Sequence, residues 1–158
     1  MASTNADSQR KNSPVQLDEI DHAIMEQLSQ DGRMSVAALA QAVHISRAHC
    51  YSRMNRLMET GVITGFTAVI DPVRSGRGAS AYVMLKTRQH SWRELRAEIL
   101  KVPEVEHLAL VSGGFDVLVL VRARDNQDLR RLIFDSFQHL PGVVDAQTHI
   151  IFEDEEAR

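Results

Sequence analysis

The chain has 158 residues, 44% apolar and 25% charged, which is enough for one domain or two small ones with a real core. Its net charge of −3 argues against a protein that coats nucleic acid indiscriminately. One cysteine excludes an intramolecular disulfide framework and fits a reducing cytosol. No apolar run reaches the ~18–20 residues that span a bilayer, and no hydrophobic leader is expected.

Residues 1–16 are rich in Ser, Asn, Asp and Gln without periodicity and read as a disordered tail. Leu17 opens the first ordered element. Leu17, Ile20, Ile24 and Leu28 recur at helical spacing, with Asp18 as N-cap and Asp21 as its partner three residues on. Asp31-Gly32 is expected to end this helix, the glycine taking a left-handed conformation.

Ser35 caps a second helix of about two turns, with Val36, Leu39, Ala40 and Val43 on one face. A tight turn at His44-Ile45 leads to Ser46, the N-cap of a third helix that Thr60-Gly61 terminates. Cys50, Met54 and Leu57 form its apolar stripe, while Arg47, His49, Ser52, Arg53 and Arg56 fall largely off it. Two short helices joined by a brief turn, the second carrying arginines, make a helix-turn-helix. The turn commonly needs φ > 0 and usually holds glycine; histidine is among the residues enriched there.

Val62 to Ile70 reads as extended, rich in β-branched and aromatic residues. Pro72, Gly76 and Gly78 mark residues 71–78 as a linker. The second half repeats itself. A strand from Ala81 to Leu85 leads to a helix capped by Ser91, with Glu94 completing a capping box, then to Val102-Pro103-Glu104-Val105 and a strand through Val111. The order recurs about 38 residues later. A strand from Val117 to Val121 precedes a helix capped by Asp125, then Leu140-Pro141-Gly142-Val143 and a strand through Phe152. Two βαβ units in tandem give a four-stranded antiparallel sheet with both helices on one face. The hairpin between them turns at Gly113-Gly114, and the tail after Phe152 is acidic.

Two groups of residues could carry function. Residues 47–58 hold three arginines and no acid, although residues 1–65 hold six Arg or Lys against seven Asp or Glu. Those arginines are either a solvated helix face or a local DNA-binding patch. In the second reading Ser46, Arg47, His49, Ser52, Arg53 and Arg56 face the duplex. Arg53 and Arg56 then contact phosphates, and Arg47 and His49, nearer the helix N-terminus, reach base edges. Gly113-Gly114-Phe115-Asp116 is either an ordinary turn or a recognition loop. As a loop, its glycine N–H groups would take a carboxylate and Asp116 an ammonium, since a zwitterion desolvated with either charge unpaired is costly. Thr148 is a further candidate lining residue.

Cys50 lies on the buried stripe and reads as a core residue. No pair among the seven histidines has metal-ligand spacing with a third ligand, so no metal is expected. No nucleophile elbow, phosphate-cradling loop or apolar carboxylate pair suggests an enzyme.

The chain resembles the leucine-responsive/asparagine-regulator (Lrp/AsnC) family of bacterial and archaeal transcription factors. The resemblance rests on Leu17-Asp18-Glu19-Ile20-Asp21, Asp31-Gly32-Arg33-Met34-Ser35, Leu39-Ala40, Ile45-Ser46, Arg53, Arg56-Leu57, Gly61-Val62-Ile63 and Gly65-Phe66. It continues through Gly113 to Asp116, Leu140 to Val143 and Thr148-His149-Ile150-Ile151, so the match runs in order over residues 17–152. Departures are His44 for the usual turn glycine, Cys50 for a usual valine, and Met58 splitting a leucine-glutamate pair.

The resemblance implies an α+β chain: an N-terminal winged helix-turn-helix (17–65), a connecting strand and linker (66–78), and a ferredoxin-like βαββαβ effector and oligomerisation domain (79–152), followed by the acidic tail (153–158). It also implies a cytoplasmic, nucleoid-associated regulator that binds double-stranded DNA as a dimer, often assembled into tetramers or octamers. An amino-acid effector would bind between dimers near Gly113, Gly114, Phe115 and Asp116, with no other cofactor. An architectural DNA-compacting protein of low sequence specificity, with a small-molecule-sensing domain, is the alternative.

Overall fold

The first helix starts where the sequence places it. In the computed structural model, which describes residues 15–88 and 92–154, α1 runs Glu19–Gln30. The Asp18 carboxylate accepts the Asp21 N–H at 2.9 Å, and the Asp21 carboxylate accepts the Asp18 N–H at 3.1 Å, so two orphan donors are satisfied reciprocally. The helix ends differently from expectation. Gly32 does not take a positive φ. Asp31 turns extended instead, at φ −138°, and its carboxylate accepts the Arg33 N–H at 2.9 Å. A side-chain turn at Asp31 replaces the left-handed glycine.

Helix α2 spans Val36–Ala42 and α3 spans Arg47–Glu59, capped by the Ser35 and Ser46 hydroxyls, each accepting an N–H at 3.2 Å. Between them His44 sits at φ 55°, the one non-glycine residue with positive φ among the described residues. The Ile45 N–H then reaches the Ala40 carbonyl at 3.0 Å and the His44 N–H reaches Gln41 at 3.3 Å. This paired closure is the Schellman arrangement, here built on histidine. Ile24, Leu28, Leu39, Ala40, Cys50 and Leu57 form the buried core of the three helices.

The extended stretch after α3 forms no ladder. Val62 and Ile63 pack on the helical core, but among the described residues no strand lies between residues 62 and 78. The wing expected there joins no ladder among the described residues, and the Ile63 N–H bonds the Leu57 carbonyl at 2.9 Å. The chain divides into two compact units, Met1–Val69 and Ile70–Arg158. The expected linker at 71–78 folds onto the second unit. The Asp71 carboxylate accepts the Arg74 N–H, Arg77 N–H reaches Pro72 O at 2.7 Å, and Gly78 N–H reaches Arg124 O at 3.3 Å.

The second unit contains β1 (Ala79–Thr87), α4 (Trp92–Ile99), β2 (Val105–Leu110), β3 (Val117–Ala123), α5 (Asn126–Leu132) with a π-helical turn at Ile133–Phe137, and β4 (Val143–Ile151). Strand order is β2-β3-β1-β4, antiparallel throughout, which is the βαββαβ arrangement expected. Asp125 caps α5 by accepting the Asp128 N–H at 2.8 Å. The capping box proposed at Ser91 lies outside the described residues, as do residues 1–14 of the N-terminal tail and 155–158 of the acidic tail.

Alternation decides the faces. Ala81, Val83 and Leu85 in β1 and Val117, Val119 and Val121 in β3 point into a core closed by Leu95, Ile99, Leu129, Leu132 and Phe137, so both helices cover one face. On the opposite face Tyr82 lies beside Leu120 and Met84 beside Leu118.

Candidate nucleic-acid interface and effector loop

Helix α3 is amphipathic in a more divided way than its sequence suggests. Cys50 and Leu57 are buried in the three-helix core, and burial raises the Cys50 thiol pKa, which keeps it protonated and inert. Ser46, Arg47, His49 and Ser52 are exposed, although the Ser46 hydroxyl is already engaged as the cap. Tyr51, one turn from Arg47, is 56% exposed and extends this outward surface. The sequence reading passed over it, and its only signal was an aromatic residue lying off the apolar stripe.

Arg53 and Arg56, expected to contact phosphates, both reach across to carboxylates of α1 and its cap, Arg53 largely covered and Arg56 43% exposed. Arg53 Nη1 lies 2.7 Å from both Asp18 carboxylate oxygens and 2.9 Å from Asp21 Oδ1. Arg56 Nη2 bonds Asp21 Oδ2, and Arg53 Nε donates to His49 Nε2 at 3.0 Å. Asp21 has no exposed surface, and the Arg53 side chain retains only 17%. Burial pushes the Asp21 carboxyl up, but hydrogen bonds from Arg56, the Asp18 N–H and Arg53 outweigh it, so its pKa falls to about 2. The hydrogen bond from Arg53 likewise lowers Asp18 and, reciprocally, raises Arg53. Two arginines and two carboxylates form a neutral cluster along one flank of a shallow groove lined by Asp18, His49, Ser52, Arg53 and Arg56. In the chain without DNA both guanidiniums are engaged by carboxylates, and there is a physical reason for it. A buried carboxylate must be paired, and these guanidiniums are the groups that pair it.

In the second unit Gly113 adopts φ 131°, and a Cβ on Gly113 or Gly114 would meet nothing within 4 Å, so both glycines front open space. Phe115 is half-buried. Asp116 ties the loop to the end of β1. Its Oδ2 accepts the Thr87 N–H at 2.7 Å and the Thr87 hydroxyl at 3.1 Å, while its N–H donates to Leu85 O at 2.9 Å. Thr148 is not brought to this loop. It stands in β4 opposite Val83, with β1 between it and β3, a separation of roughly 10 Å for two strand spacings.

A charged network at the other end of the sheet escaped the sequence reading. Arg122, 9% exposed, donates to Glu106 at 2.6 Å, Ser80 at 2.9 Å and Asp154 at 2.6 Å, and Arg77 reaches Glu106 at 2.7 Å. A cleft of about 580 Å³ opens beside it, lined by Glu104, Arg124, Asp128 and Arg131 among others. Asp128 pairs with both Arg124 and Arg131, so three of these charges serve one another. Among the described residues no three His, Cys, Asp or Glu side chains gather as a metal site.

Residues 17–58 match the AsnC-type helix-turn-helix domain, and residues 80–156 match the Lrp/AsnC ligand binding domain. The chain is 36% identical over 140 residues to a proline dehydrogenase transcriptional activator of Rhizobium radiobacter, covering 87% of this chain and 90% of that one. It is 32% identical over 141 residues to the leucine-responsive regulatory protein of Salmonella typhimurium, covering 87% and 86%. Among solved structures, the leucine response regulatory protein of Mycobacterium tuberculosis superposes with a TM-score of 0.78 at 27% identity over 89% of this chain and 96% of that one. A transcriptional regulator from Neisseria meningitidis, solved with L-Met, shares the fold with a TM-score of 0.84 at 24% identity over 90% and 94%.

Proposed function

The chain belongs to the Lrp/AsnC family of helix-turn-helix transcriptional regulators that carry a ligand-binding domain, and from that premise we propose how its own residues divide the work. It is a regulator, not an enzyme. Helix α3 reads DNA through Arg47, His49 and Ser52, with Tyr51 beside them and Ser46 fixing the helix start. The observation that carries this reading is the outward placement of the N-terminal half of α3 on a helix-turn-helix, the part that reaches base edges in such modules. Arg53 and Arg56 serve chiefly to hold α3 on α1.

A second copy would cover the open sheet face at Tyr82, Met84, Leu118 and Leu120, since a sheet covered on one side leaves the other available. Two α3 helices would then enter successive major grooves about one helical turn apart. Tetramers or octamers would add avidity to a single weak contact. The effector is an amino acid or a related zwitterion. The Neisseria meningitidis neighbour was solved with L-Met, and the open Gly113-Gly114 backbone offers N–H groups to a carboxylate. Because Asp116 Oδ2 is engaged by Thr87, an effector ammonium would fall to Oδ1. Thr148 would line such a pocket only if a second chain closes it. No helix among the described residues is long and apolar enough to cross a membrane, and a cytoplasmic, nucleoid-associated location fits a DNA-binding regulator. DNA compaction is the poorer reading, because neutralising Arg53 and Arg56 leaves little basic surface for indiscriminate coating.

The test is footprinting and gel-shift titration against operator and random duplex. Arg47→Ala should cost roughly tenfold to a hundredfold on operator and much less on random duplex. Equal losses on both would remove Arg47 from base readout.

A further inference from the structure

The N-cap of α1 places a carboxylate against the flank of α3, where a phosphate-binding surface would exclude one. Asp18 is half-exposed, with 54% of its side chain open to solvent, yet both of its oxygens lie 2.7 Å from Arg53 Nη1. It lines the same groove as His49, Ser52 and Arg56. The same Arg53 Nη1 also serves the buried Asp21 Oδ1, while Arg56 and the Asp18 N–H satisfy Asp21 Oδ2. Helix capping does not require a charge at position 18, since an asparagine side chain caps equally well. Beyond the cap, the Asp18 charge adds to the hold that Asp21 already has on the Arg53 guanidinium, at the edge of the surface proposed to meet the duplex.

We propose that Asp18 is a specificity-determining residue: it occupies Arg53, withholds that charge from the phosphate backbone, and so depresses affinity for DNA that lacks the operator. The inference rests on the reading of α3 as the DNA-reading helix. Sequence-independent affinity grows with each phosphate neutralised, whereas base contacts discriminate between sequences. A regulator that spends one of its three α3 arginines on an exposed carboxylate lowers the first term and leaves the second intact. Asp18 acts through Arg53, with His49 Nε2 holding the guanidinium from its other side.

The experiment compares the full chain with Asp18→Asn, which keeps the cap and removes the charge, on operator and on random duplex across a salt series. Thermal melts in parallel confirm that both proteins are folded. For Asp18→Asn the salt dependence should steepen by about 0.9 per bound copy, the value of one added phosphate contact. Random duplex should bind roughly fivefold tighter at low salt, and the operator-to-random ratio should fall. In an Arg53→Gln background, Asp18→Asn should no longer change either duplex affinity, an outcome that a purely structural role for Asp18 would not produce. Unchanged slope and affinity in Asp18→Asn, or weaker binding to both duplexes, would overturn the proposal. Failure of the unsubstituted chain to bind either duplex would overturn the reading of α3, and the proposal with it.

Discussion

Arg53 Nη1 lies 2.9 Å from Oδ1 of Asp21, a carboxylate with no exposed surface, so helix α3 is tied to α1 by charge as well as by apolar packing. Arg56, one turn further along α3, bonds the other oxygen. Among the described residues no buried side-chain polar atom lacks a partner, and Asp21 meets that condition only through these arginines and the Asp18 N–H. The relationship fixes how α3 is rotated on α1. Ile24, Cys50 and Leu57 determine that the helices pack, whereas the carboxylate selects which flank of α3 faces α1. The recognition surface is whatever that choice leaves outside.

Asp21→Ala should therefore cost more than a surface charge change. It removes the shared acceptor and leaves two guanidiniums without it. Losing one partner of a buried pair costs about 3–5 kcal/mol, and the lower end applies because Arg56, 43% exposed, can turn into water. Urea unfolding of the full chain followed by helical circular dichroism measures this. A loss below about 1 kcal/mol would mean that apolar packing alone sets the helix arrangement.

Acid should act through the same carboxylate. Its ordinary pKa of 3.8 falls to about 2 in the folded chain, so the folded state binds its proton more weakly than the unfolded state does. The stabilisation is fully present above the ordinary value and is lost as pH falls through about 2. Asp18 is shifted in the same direction. The melting temperature of the helix-turn-helix unit should thus fall steeply between pH 4 and 2, and less steeply in Asp21→Asn. Parallel curves for the two proteins would assign the acid sensitivity elsewhere.

What was legible in the sequence was local or periodic. The caps at Asp18, Ser35, Ser46 and Asp125, the buried stripe through Cys50, the repeated βαβ units and the left-handed turn at His44 depend on near neighbours or on alternation. The Asp21 pairing was not, because Arg53 and Arg56 lie 32 and 35 residues away and periodicity carries no information on which foreign charge meets a face. Asp21 read as a cap partner, which it is, and its second role left no sequence trace. Residues 62–70 show the converse failure, since β-propensity was present but no strand among the described residues pairs with it. Gly32 misled because Asp31 could stop the helix without it. Thr148 was named as a lining residue, and no local signal shows that β1 stands between its strand and β3.

His44 offers a test of backbone conformation free of any ligand. At φ 55° a β-branched side chain clashes with its own backbone, and left-handed placement of such a residue costs about 1–2 kcal/mol. His44→Val should destabilise the helix-turn-helix by about that amount, and His44→Gly should be neutral or stabilising by a few tenths of a kcal/mol. Thermal or denaturant melts suffice to measure both. If valine and glycine behave alike, the Schellman closure between Ile45 and Ala40 is not what joins the two helices.

Asp116 holds a position that any effector experiment must separate from stability. Its carboxylate anchors Thr87 through the N–H at 2.7 Å and the hydroxyl at 3.1 Å, which closes the far end of the β1–β3 pairing. Hydrogen bonds to a charged group contribute about 1.5–3 kcal/mol, so Asp116→Ala should lower stability by an amount in that range with no effector present. Thr87→Val removes only the hydroxyl bond and should cost about 1 kcal/mol. Asp116→Asn keeps an acceptor for Thr87 while removing the charge, so it should retain most of the stability of the parent chain. The thermal shift produced by an amino acid then becomes decisive. A shift lost in Asp116→Asn but kept in Thr87→Val places the effector ammonium on Asp116, because only the charge separates the two results. Equal shifts in all three proteins leave Asp116 as the latch on β1 and put the zwitterion's positive end elsewhere.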